Sequence, residues 1–126
     1  MAQSDCMVLP SLIEGWSIAA AEAMLLGVPL IVSDVGSAYD MMAVSSSVRV
    51  VPGKVPNILE LTGDHLYQIL QREDELYEKR LSLEMVGMVV NRAAMKTQAQ
   101  EAIPQAQKLF SMNRAVDSYL ELLRRV

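Results

Sequence analysis

Residues 6–33 read CMVLPSLIEGWSIAAAEAMLLGVPLIVS, and this stretch decides the fold. Cys6 to Leu9 is a continuous apolar run that stops at Pro10, the pattern of a strand covered on both faces. The loop PSLIEGW follows. Ser17 then stands where it can cap a helix with the body IAAAEAMLL, and Gly27 followed by Val28-Pro29 supplies its stop. Leu30 to Ser33 (LIVS) is a second apolar strand. Two buried strands joined by a single helix make a βαβ unit, which calls for parallel pairing and a right-handed crossover.

Working outward, a third apolar run, VRVV at 48–51, follows a loop and a short apolar segment around Tyr39 to Val44. The composition shifts between Pro52 and Pro56. Before it there are five acidic and two basic residues among short apolar runs broken by Gly and Pro; after it the chain is charged and helical in period. Helices are expected around Asn57 to Gln71, from about Asp74 to Met95, and after Ser111. The last places Met112, Ala115, Val116, Tyr119, Leu120 and Leu123 on one stripe. Pro104 should interrupt or kink whatever helix occupies Thr97 to Phe110. The fold class expected is α/β: one domain, 1–126, with a Rossmann-like parallel sheet of about three strands and flanking helices. Residues 1–56 form its βαβ core and 57–126 its helical portion.

The chain has 126 residues, 52% hydrophobic and 21% charged, enough to bury a core without disulfide or metal. A net charge of -4 offers no footprint for a nucleic-acid backbone. Cys6 is the single cysteine and His65 the single histidine, so neither an internal disulfide nor a Cys- or His-built metal site is expected, and no metal or cofactor is assigned. Glu14, Glu22 and Asp34 interrupt the most apolar region short of the roughly 20 residues a bilayer requires. The start, MAQSDCMVLPS, is not patterned as a signal peptide. A reducing, cytoplasmic setting is the expectation.

In open parallel sheets, ligands bind beyond the carboxyl ends of the strands. Two loops meet that description: Pro10 to Trp16, and Asp34 to Ser37. The helix opening near Ser17 offers unpaired N–H groups and a positive dipole end to a phosphate, and Gly15 lets a ligand approach the backbone. Glu22 is the only polar residue between Ile18 and Leu26; in a helix whose composition reads as largely buried, it needs partners or a route to solvent. Glu14 sits where a loop carboxylate can face the same crevice. Trp16 can stack on a ligand or simply pack.

These residues carry a family resemblance. Ser4 to Gly36, SDCMVLPSLIEGWSIAAAEAMLLGVPLIVSDVG, closely resembles the signature of the family 4 glycosyltransferases (glycosyl transferases group 1), which have the two-domain GT-B fold. The matching features are Ser4-Asp5, the strand ending in Pro10-Ser11, Glu14 and Glu22 with seven residues between them, Glu22-Ala23-Met24, Gly27-Val28-Pro29, and Ser33 to Gly36. VRVVP and KLFSMNRAVDSYLELLRRV resemble the family's later strand and its closing helix. Asp40 lies where the family usually has Glu.

The resemblance implies transfer of a sugar from a nucleotide-diphosphate sugar to an acceptor hydroxyl with retention of configuration, normally without metal. It implies that Glu14 is the sugar-side, catalytic carboxylate and Glu22 the ribose anchor, with Gly15, Trp16, Ser17 and Ile18 cradling the diphosphate. Where the family commonly has Gly-Phe-Gly, this chain has Gly15-Trp16-Ser17. The family's diphosphate-neutralising Arg and Lys and its N-terminal acceptor domain have no counterpart before Met1. The chain therefore resembles the C-terminal part of a donor-binding domain, inactive by itself, whose first strand presents an open edge for an N-terminal domain or a second copy to cover. Two other readings are a non-catalytic assembly module that keeps the fold, and a nucleotide-sugar epimerase of the GT-B fold.

Overall fold

Leu30 to Ser33 is apolar without interruption because it lies at the centre of the molecule. In the computed structural model, which describes residues 3–53, 62–71 and 74–125, β2 (Leu30–Ser33) pairs in parallel with β1 (Met7–Leu9) on one side and β3 (Val48–Val51) on the other. Leu30 sits opposite Met7 and Val48, and Ser33 opposite Val51. All four residues of β2 are buried. Successive side chains alternate between two cores. Leu30 and Val32 face one built with Ala20, Met24, Met41 and Ala106; Ile31 faces another with Val51, Tyr77, Met88 and Met95. This is the expected three-stranded parallel α/β sheet with flanking helices. The first strand begins one residue later than expected, where the Met7 N–H reaches the Pro29 carbonyl at 2.9 Å.

The helix between β1 and β2, α1 (Ile18–Leu25), begins and ends as its sequence dictates. The Ser17 hydroxyl accepts from the Ala20 N–H. At the other end Gly27 takes a φ of 64°, its N–H bonds the Met24 carbonyl, and the Val28 N–H bonds that of Ala23. This is the Schellman closure, which only a residue tolerant of left-handed backbone completes without strain. The segment read as short and apolar around Tyr39 to Val44 is a helix, α2 (Ala38–Val44).

The helical half comprises α3 (Gly63–Gln71), α4 (Glu75–Val90), α5 (Arg92–Glu101), α6 (Ile103–Leu109) and α7 (Met112–Arg124). The first part of the helix expected at 57–71 lies outside the described residues. The helix expected from Asp74 to Met95 breaks at Asn91, whose side-chain amide donates to the Gly87 carbonyl at 2.9 Å and so competes with helix continuation. Pro104 lies in the first turn of α6, where its missing N–H leaves no bond unmade; the interruption falls at Ala102. Ser111 caps α7 by accepting from the Arg114 N–H. None of the stripe on α7 is buried.

Among the described residues, β1 and β3 each pair only with β2, so the edge of β1 is open as expected. No helix there is long and apolar enough to cross a membrane.

Candidate functional site

The carboxyl ends of β1 and β2 lead into the loops 10–17 and 34–37, which meet over the N-terminus of α1. Between them is a crevice lined by Ser11, Glu14, Ser17, Val35 and Ser37. Its void is about 10 Å³, the space of a single water, so anything as large as a sugar must lie across its open mouth. A roomier hollow of about 500 Å³ lies elsewhere, between α4 and the sheet face that carries Val8 and Ile31. It is lined largely by Val8, Ile31, Met85, Met88 and Val89, and its charged residues, Asp5 and Arg92, already pair with each other at 2.7 Å. The convergent polar groups are at the crevice.

Glu14 is half-buried, and its carboxylate accepts from the Ser11 hydroxyl at 2.9 Å. Gly15 follows with open space around it; a Cβ built there meets nothing within 4 Å. Trp16 is 50% exposed and packs edge to face on Phe110. Ser17 caps α1, leaving the N–H groups of Ile18 and Ala19 without intrahelical acceptors. Ile18 is 70% exposed at the start of the helix.

Of the two alternatives open to Glu22, partners or a route to solvent, the structure shows the second: α1 is largely buried, but Glu22 is exposed. The buried residues of α1 are Ala20, Ala21, Ala23 and Met24, while Ile18, Glu22 and Leu26, four apart, form its outer stripe. Glu22 carries no burial cost and does not line the crevice that Glu14 lines. Five residues beyond the cap, it stands about 7.5 Å along the helix axis, on the same face as Ile18.

Two features escaped the sequence. Gly36, at a φ of 56°, packs directly on the loop of Glu14 and Gly15. The Tyr39 hydroxyl donates to the Asp34 carboxylate at 3.1 Å, tying α2 to the second loop. That hydrogen bond, with the negative charge behind it, raises the Tyr39 pKa above its ordinary value. The glycine after Asp34-Val35 was the available signal for the first.

The order of strand, loop, capped helix and strand, with Glu14 and Glu22 on either side of the cap, lies within a segment that has relatives. Residues 1–60 match the family of glycosyl transferases group 1. The match bears out the resemblance read from Ser4 to Gly36 and covers β1 through β3. Neither the curated proteins nor the solved structures give a match. The segment that matches this family contains Glu14, Gly15, Trp16, Ser17, Ile18 and Glu22, and the loop with Gly36. The helices α3 to α7 lie outside it.

Proposed function

We propose that this chain is the donor-binding part of a retaining glycosyltransferase that takes its sugar from a nucleotide-diphosphate sugar. The observation that carries the reading is the placement of the capped N-terminus of α1 at the carboxyl ends of two adjacent parallel strands, between Glu14 and Glu22. The diphosphate sits on the amides from Gly15 to Ile18, where the helix dipole supplies about half a positive charge. The ribose extends along the outer face of α1, and its hydroxyls donate to Glu22. The sugar lies over the mouth of the crevice, with its hydroxyls toward Glu14. A carboxylate accepting from hydroxyls makes the stronger, charge-assisted kind of hydrogen bond.

Among the described residues no lysine or arginine lines the crevice, and half a charge offsets little of a diphosphate. The isolated chain therefore binds nucleotide weakly and transfers nothing; basic residues and an acceptor site must come from elsewhere, in a cytoplasmic setting. Calorimetric titration of UDP, GDP and ADP tests this. At least one should bind, and Glu22→Gln should weaken it by about tenfold, the usual worth of a hydrogen bond to a charged group. Equal binding by the two proteins removes the ribose role, and sugar transfer by the 126 residues alone refutes the need for further basic residues and an acceptor site.

A second reading, a non-catalytic assembly module, is favoured by the wholly exposed stripe of α7. A stable oligomer with no nucleotide binding would select it.

A further inference from the structure

Trp16 is held from a distant part of the chain. Its ring meets that of Phe110 edge to face, with centroids 5.3 Å apart and planes at 72°, the arrangement aromatic quadrupoles favour. Phe110 closes α6 and is itself anchored: its N–H donates to the Ala106 carbonyl at 2.8 Å, Ala106 is fully buried, and Phe110 packs against the core shared by α1 and β2. Trp16 lies in the loop between β1 and α1, one residue before the cap, with half its surface in solvent. One ring is thus fixed by the core, and the other belongs to the loop that carries Glu14, Gly15 and Ser17.

We propose that Phe110 is a positioning residue for this loop, acting through Trp16. By seating the indole, it holds the amides from Gly15 to Ile18 in the orientation that receives a nucleoside diphosphate; in this respect the inference rests on the donor-binding reading. An edge-to-face pair shifts the population of the ordered loop by a factor of about two to ten.

Trp16 is the only tryptophan, so its fluorescence reports on the loop without interference. The experiment compares wild type with Phe110→Leu, which keeps apolar bulk and removes the ring, and with Phe110→Tyr, which restores a ring. Val44→Ala, at the far end of α2, controls for loss of core packing. The readouts are Trp16 emission and acrylamide quenching, thermal midpoint, and affinity for whichever of UDP, GDP or ADP binds wild type best. Phe110→Leu should redden the emission, raise quenching and weaken nucleotide binding about two- to tenfold, and Phe110→Tyr should recover all three. Val44→Ala should lower the midpoint but leave emission and affinity unchanged. Unchanged quenching in Phe110→Leu overturns the positioning role, as does wild-type affinity despite a freed indole. If wild type binds none of the nucleotides, the donor-binding reading fails; quenching still decides whether Phe110 seats the loop.

Discussion

Gly36 lies so close to Gly15 that a Cβ added to it would stand 2.1 Å from the Gly15 carbonyl oxygen and 2.7 Å from that of Glu14. The loops after β1 and β2 therefore touch backbone to backbone, and the position of Glu14 depends on a residue in the other loop. Gly15, the glycine that the sequence singles out for close approach, meets Gly36 through its carbonyl, but a Cβ built on it meets nothing within 4 Å. The clearance at Gly15 is available to a ligand; the clearance at Gly36 is used by the fold.

Thermal denaturation of three alanine variants should rank accordingly. Gly36→Ala combines a left-handed backbone with a collision against main-chain atoms, and should lose at least about 2 kcal/mol. Gly27→Ala is strained in φ but meets chiefly the Ile103 side-chain tip at 3.0 Å and the Gln100 side chain at 3.2 Å, and should lose about 1 kcal/mol. Gly15→Ala should match or exceed wild type by up to about 1 kcal/mol while weakening nucleotide binding. Wild-type stability in Gly36→Ala would mean that the loops do not meet in this way.

Ser33 and Tyr77 pair their hydroxyls at 2.9 Å in the interior, joining the end of β2 to α4. Ser33→Ala and Tyr77→Phe should each cost about 1 kcal/mol in urea denaturation. The double variant should cost less than the two together, because both single changes break one bond. Strict additivity would show that the hydroxyls act independently.

The Cys6 thiol is pushed up by partial burial, with the backbone at Ile31 pulling weakly the other way. A folded-state pKa above the unfolded one favours the protonated thiol in the native protein. Its contribution is complete below the unfolded pKa and is lost as pH rises through the folded one. Urea midpoints of wild type and Cys6→Ala, measured from neutral to alkaline pH, should therefore converge or cross toward the alkaline end. A constant gap would show that the thiol is not desolvated.

The strands were legible because burial on both faces leaves a continuous apolar run, and β2 and β3 have the bounds the residues suggest. Ser17 and Ser111 announced their helices through side-chain capping, which is local chemistry. Other features depend on position in space. The alanines of α1 mark a largely buried helix, but which way Glu22 turns depends on packing, and it lies on the outer stripe with Ile18 and Leu26. Asn91 ended α4 through a side-chain bond that a charged, periodic run does not advertise. The contact of Gly36 with Gly15, and of Phe110 with Trp16, required residues distant in sequence to meet.

The two faces of β2 also differ in when they can be covered. Leu30 and Val32 find most of their neighbours within the first half of the chain, but Ile31 and Val51 wait for Tyr77, Met88 and Met95. During synthesis, which delivers the N-terminus first, that second face stays wet until α5 has left the ribosome. The segment from β1 to β3 is complete as a motif well before it can be complete as a folded body.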